Sequence, residues 1–259
     1  MPPLDIIAYT PPAGVWAGLD TAGDDDSPGY VITPELGAEL RAEGIRWVAR
    51  YTRLDGTVLE NPRPGGDWRG VYSLSIAESR WILEAGLGIV LVQFGTFGDA
   101  ADGARYGAAA ALATSRLGFP GGAHHFVDVE GSGPAAAGSK ACRSYVEAWT
   151  DDLLAGGPSA PLGGMYLTGQ VPLSARKLYA LRGVTAYWSA AGPVPPNPLD
   201  RGYTIEQQPR SRVCGILADR DTLRPDRMGH CATLIATPEI ALDWHLEALT
   251  QTLGDLHTA

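Results

Sequence analysis

Residues 88–130 decide how this chain is read. Gly88-Ile89-Val90-Leu91-Val92-Gln93-Phe94 is almost continuously apolar, as expected of a strand covered on both faces. Asp102 to Leu117 follows as an alanine-rich helix stopped at Gly118, and His124-His125-Phe126-Val127-Asp128-Val129-Glu130 returns as a strand. Strand, helix and strand in that order form one repeat of an alternating α/β pattern.

The same alternation extends both ways. Upstream, Val15 to Asp20 reads as the first strand. Thr33-Pro34-Glu35 opens a helix ending near Gly44, with a capping threonine, a proline that needs no amide partner and an acid at the positive end of the dipole. Ile45 to Tyr51 is the second strand, Thr52 to Tyr72 a long Gly/Pro/Asp-rich loop, and Ser75-Ile76-Ala77-Glu78 the capping-box start of a helix reaching Ala85. Downstream come a helix over Ser139–Ala155, a strand over Gly164–Thr168 and a short helix over Ser174–Leu181. Strands over Val184–Ser189 and Tyr203–Gln208 flank the proline-rich loop Pro193–Pro198, and the eighth strand spans Gly215–Leu223. Thr237-Pro238-Glu239 starts a final helix reaching about Leu253. No helix is evident between the sixth and seventh strands. Eight strands alternating with helices over this length predict a single α/β domain spanning 1–259, a (β/α)8 TIM-type barrel with one eroded repeat. An open doubly wound sheet normally carries a glycine fingerprint after its first strand, whereas this one ends in Asp20.

Composition agrees with a packed globular chain: 259 residues, 45% hydrophobic and 19% charged, with 33 glycines and 20 prolines for tight connections. The formal charge is −9 and the only lysines are Lys140 and Lys177, which argues against a phosphate-tracking nucleic-acid binder. Three scattered cysteines, Cys142, Cys214 and Cys231, make no disulfide framework. Met1 to Thr10 has no secretion-signal pattern, and the longest apolar runs, such as Gly86 to Val92, fall short of a bilayer span. The expectation is a soluble chain without a membrane partner, cytoplasmic by default or exported by a non-classical route.

Working residues of such barrels gather at the C-terminal ends of strands. Here those ends carry Asp20, Arg50, Gln93, Asp128 with Glu130, Tyr166, Trp188, Gln207 and Asp219 with Asp221. The sharpest signal is Phe126-Val127-Asp128-Val129-Glu130, where the two acids share a strand face, roughly 6–7 Å apart at Cα. Such a pair disfavours double ionisation, so Glu130 at the rim is expected to hold its proton more tightly, as acid catalysis of glycoside cleavage requires. The same spacing also suits a hydrogen-bonded pair that merely closes the barrel. Calcium is a competing explanation for the acids, without EF-hand spacing to support it. Adjacent His124 and His125 face opposite sides and cannot easily share a metal. Neither a metal nor a cofactor is expected. Trp188 is a candidate sugar platform, and Arg50 and Gln93 either orient substrate hydroxyl or acetamido groups or satisfy the ring of acids.

Together the motifs resemble a bacterial glycoside-hydrolase-like family of unknown function related to the family 25 (Chalaropsis-type) lysozymes. Those carrying the likeness are Gly18-Leu19-Asp20, Arg50-Tyr51, Glu78, Ala85-Gly86-Leu87, Val90-Leu91-Val92-Gln93, Asp102-Gly103, Leu117-Gly118-Phe119-Pro120, Phe126 to Glu130, Glu206-Gln207-Gln208 and Asp219-Arg220-Asp221. Tyr187-Trp188-Ser189 departs from the Trp-x-Ala-like sixth strand of that group. The resemblance implies a sugar-binding groove and, in the lysozyme branch, cleavage of peptidoglycan between N-acetylmuramic acid and N-acetylglucosamine. Glu130 would be the general acid, and Asp128, Asp20 and Asp219 the supporting carboxylates, in a retaining or substrate-assisted reaction. Arg50, Gln93, Tyr166, Trp188, Gln207 and Asp221 would contact the carbohydrate. The alternative is an inactive glycan-binding or cell-wall-targeting barrel, associated with a phage or a secretion assembly.

Overall fold

A computed structural model describes residues 4–20, 30–63, 73–93, 97–191 and 201–258. Phe94, residues 64–72 of the long loop, and the loop Pro193–Pro198 lie outside them. Eight strands close a barrel: β2 (Trp16–Asp20), β3 (Trp47–Thr52), β4 (Gly88–Gln93), β5 (His124–Val129), β6 (Leu162–Leu167), β7 (Val184–Ser189), β8 (Ile205–Gln207) and β10 (Ile216–Leu223). Their order around the barrel is β4-β3-β2-β10-β8-β7-β6-β5, and β4 pairs with β5 to complete the circuit. Strands β2 through β8 run parallel, but β10 is antiparallel to both β2 and β8. The TIM-type α/β barrel expected from the alternation is therefore present, with one of its eight strands, β10, reversed.

Three further strands stand outside the ring. β1 (Ile7–Tyr9) pairs antiparallel with β11 (Leu234–Ala236), which reaches β4 at Ile89. β9 (Ser211–Val213) forms a hairpin with β10 across Cys214-Gly215, whose φ values of 48° and 80° are both left-handed and match the twist of a two-residue hairpin.

The first two helices start where the sequence signals them. α1 (Pro34–Ala42) is capped by Thr33 Oγ1, which accepts from the Leu36 amide, and α2 (Ile76–Glu84) by Ser75 Oγ, which accepts from the Glu78 amide. α3 (Ala100–Arg116) begins two residues before its predicted start because Asp99 caps it. α4 (Ser132–Leu153) begins seven residues early, with non-helical backbone at Gly138. α5 (Ala175–Leu178) is a single turn, and α6 (Pro238–Thr258) outruns its predicted end at Leu253. None of these helices lies between β7 and β8 among the described residues.

Aromatic packing fills the barrel below its rim. Trp188 meets Trp47, Phe126 and Tyr166 edge-on, with ring centroids 6.1, 5.7 and 5.2 Å apart. Two glycines make room for these rings. A Cβ on Gly18 would lie 2.0 Å from the Trp47 ring, and one on Gly164 would lie 2.6 Å from Phe126. Outside the barrel a second core joins Val127, Val129, Met165 and Tyr187 to Tyr145 and Trp149 of α4. Among the described residues, no helix is long and apolar enough to cross a membrane.

Candidate active site

The site is built by alternation along the strands. On β5, Phe126 belongs to the aromatic filling, so Asp128 and the residue just beyond the strand, Glu130, share its side. On β2 the same face carries Gly18 and then Asp20. Antiparallel β10 enters from the opposite direction: Asp219 lies directly across from Asp20, and Asp221 across from Gly18 and Gln207. Asp20, Asp128, Glu130, Asp219 and Asp221 thus converge at one end of the barrel.

Like charges directly across an antiparallel pair repel. Asp20 is answered by Tyr51, whose hydroxyl donates to Asp20 Oδ2 at 2.9 Å, and Asp219 by Arg210, whose Nε lies 3.5 Å from Asp219 Oδ2. Deeper down, Asp221 Oδ1 accepts from Trp188 Nε1 at 3.0 Å, while its Oδ2 and Asp128 Oδ1 are buried without a protein partner. Tyr166 donates to Gln207 Oε1 at 3.1 Å, and the same oxygen accepts from the Ala191 amide at 3.0 Å.

Burial sets the protonation. Asp128 is held well above the usual carboxylate range, first by burial and then by the charges of Glu130 and Asp20. Asp221 is raised likewise, by burial and then by Asp20 and Asp219. Glu130, only partly buried, is raised by burial; the Arg210 charge opposes this and Asp219 adds to it. The expected rise at Glu130 is present, then, but Asp128 is raised as well, and burial outranks charge in both. The site presents a half-buried carboxyl with a raised pKa over two deeper carboxyls raised well above the usual range.

Two predicted site residues face elsewhere. Arg50 is fully buried on the outer side of β3, where its Nη2 pairs with Glu78 Oε1 at 3.0 Å; that oxygen also accepts from the Ile32 amide. The Gln93 side-chain oxygen accepts from Trp149 Nε1 of α4 at 2.7 Å. Both therefore tie strands to helices and neither satisfies the ring of acids. Trp188 has no exposed surface and forms the floor beneath Asp221, so no sugar face can stack on it in this conformation. Tyr51 and Arg210 are the residues that sequence reading missed at the mouth. Tyr51 directly follows Arg50, and Arg210 is the base that follows Gln207-Gln208-Pro209.

The histidines separate as expected. His125 lies between Thr52 and Thr114 on the helix side, and His124 binds Thr185 Oγ1 and the Thr233 amide. Burial drives their pKa values down to about 3 and about 4 respectively, so both are neutral. Among the described residues, no group of three or more His, Cys, Asp or Glu side chains could hold a metal ion.

A closed α/β barrel with acids gathered at one end is an architecture that glycoside hydrolase-like proteins share with other barrel enzymes. The chain belongs to the Rv2525c-like, glycoside hydrolase-like domain family, whose model matches residues 38–201. It is similar in structure to the Tat-secreted protein Rv2525c of Mycobacterium tuberculosis in complex with HEPES, at TM-score 0.57 and 18% identity, covering 83% of this chain and 98% of that one. An uncharacterized B. stearothermophilus protein aligns at TM-score 0.57 and 18% identity, over 82% and 97% of the two chains. GHIP, a glycosyl hydrolase 25 of Streptococcus pneumoniae, aligns at TM-score 0.52 and 15% identity, over 81% and 87%. At such identities the likeness is one of fold. No protein of curated function matches the sequence.

Proposed function

We propose that the chain, acting as one barrel unit, is a glycosidase of amino-sugar polymers, with peptidoglycan as its substrate. The observation that carries this reading is Glu130, a half-exposed carboxyl with a raised pKa beside Asp20, Asp128 and Asp219. A general acid must hold a proton near its working pH and still reach the leaving oxygen, and partial burial moves Glu130 toward the first while leaving it accessible for the second. Membership of a glycoside hydrolase-like family and the fold shared with a glycosyl hydrolase 25 support the substrate class.

Glu130 donates its proton to the glycosidic oxygen as the bond to the anomeric carbon breaks. The substrate acetamido oxygen closes on that carbon, and Asp20 and Asp219 face the positive charge that develops. Asp128, buried behind Glu130, orients the substrate. Water then opens the ring intermediate, returning a proton to Glu130, so the carboxyl ends as it began. Tyr166, Gln207 and Asp221 border the sugar; Tyr51 orients Asp20.

Glu130→Gln tests the assignment, because the change is nearly isosteric and removes only the transferable proton. Release of reducing ends from purified peptidoglycan should fall by about 100-fold or more, with the circular dichroism spectrum unchanged. Wild-type turnover in this variant removes Glu130 from the role. Glycan binding by a wild-type protein that releases no reducing ends at any pH assigns the inactive binding barrel instead.

A further inference from the structure

The last helix, α6, carries apolar side chains on two opposite faces. Ile240 and Trp244 are buried against the barrel, with the Trp244 ring stacked on Trp16 at 5.0 Å. On the other face Leu242, Leu246 and Leu249 are 61%, 53% and 60% exposed. Their spacing of four and then three residues continues in the sequence at Leu253 and Leu256. A surface helix normally turns polar residues outward, and an apolar repeat averaging 3.5 residues is the seam that another α-helix fills.

A second observation concerns support. Leu249, Thr250, Gln251 and Thr252 are all exposed. Four consecutive residues sample every side of a helix, so in this stretch α6 has left the surface of its own barrel. A short helical extension gains little stability alone in water, and leucine is a poor residue to leave on it.

We propose that α6 packs against α6 of a second copy of this chain, with Leu242, Leu246 and Leu249 forming the seam of a two-fold interface. Such a contact is self-complementary, leucine meeting leucine. The acids nearest the seam are already neutralised within the chain. Asp243 pairs with Arg41 at 3.0 Å, and Glu247 pairs with Arg46 at 2.9 Å and Arg41 at 3.4 Å. His245, Thr250 and Thr252 carry no negative charge. The exposed Glu239, one turn before Leu242, lies at one end of the seam, where an antiparallel two-fold sets it against the Leu253 end of the second copy and not against another Glu239. Two chains of net charge −9 can therefore meet on this face without opposing unpaired acids. A lipid surface is the poorer occupant, since α6 contains no lysine or arginine to meet anionic headgroups.

Sedimentation velocity of the full chain from low-micromolar to several hundred micromolar tests this, alongside Leu246→Glu/Leu249→Glu and the gentler Leu242→Ala/Leu246→Ala/Leu249→Ala. The wild type should pass from 27.3 kDa to twice that mass with rising concentration. Both variants should weaken association by about 100-fold or more while retaining the wild-type melting temperature to within a few degrees. The alanine variant keeps helix propensity, so loss of dimer there reports the seam and not unfolding. A wild type that stays monomeric throughout overturns the proposal, as does a dimer that persists in both variants. A monomer that floats with phosphatidylcholine vesicles overturns it in favour of a membrane face.

Discussion

Arg50 and Tyr51 are neighbours, yet one locks a helix to the barrel and the other reaches the acids. Their roles are set by parity along β3 and not by residue chemistry. On β5 parity is legible, because Asp128 and Glu130 alternate with Val127 and Val129. On β3 and β4 both faces are buried, so apolar residues fall on each and the alternation is silent. Arg50 and Gln93 drew attention as polar residues in apolar runs, but they serve the helix-facing side. Charge around Glu130 is testable at this scale. Arg210 holds the Glu130 pKa down and Asp219 pushes it up. Arg210→Gln should therefore move the basic limb of the pH–activity profile to higher pH, and Asp219→Asn should move it lower. The two shifts should be opposite in sign. Profiles of kcat/KM for the two variants check the signs, and shifts in the same direction would refute the arrangement.

Helices were the elements most readily found, because Thr33-Pro34-Glu35, Ser75 with Glu78, and Thr237-Pro238-Glu239 mark their starts chemically. Strand direction carries no comparable mark. The connection from Gln208 to Gly215 is too short for the dozen or so residues that a parallel crossover needs, and that was the available sign of an antiparallel β10. The three-residue strands β1, β9 and β11 are too brief to show a period. Helix α3 shows what spacing does encode. Gly103 and Gly107 lie one turn apart where α3 meets α4, and a Cβ on Gly107 would sit 2.0 Å from the Trp149 carbonyl oxygen. Gly107→Ala should therefore destabilise the fold by about 1–3 kcal/mol through forced separation of the helices, although alanine is the better helix former. Thermal unfolding of the variant measures this; an unchanged or raised melting temperature would show that the helices can part without cost.

Titration of the buried groups gives the whole molecule an unusual pH response. Asp128, Asp221, Glu130 and Glu78 all have pKa values raised in the folded state, chiefly by burial. Each favours the folded state at acid pH and loses that contribution as pH rises above its ordinary range. His124 and His125 act oppositely, since their folded values lie near 4 and near 3, so they destabilise the fold as pH falls below about 6.5. Between pH 5 and pH 7 the carboxyls and the imidazoles therefore pull stability in opposite directions. Asp128→Asn removes one of the carboxyls, so it should raise stability more at pH 7 than at pH 5 while impairing turnover. Calorimetry of the variant and the wild type at both pH values checks this, and a variant that gains as much at pH 5 as at pH 7 would contradict the arrangement. The ladder between Ile7–Tyr9 and Leu234–Ala236 has a consequence for synthesis. Strand β1 is made long before its mate, so the pairing closes a very long loop and cannot form until all eight barrel strands between the two have been synthesised.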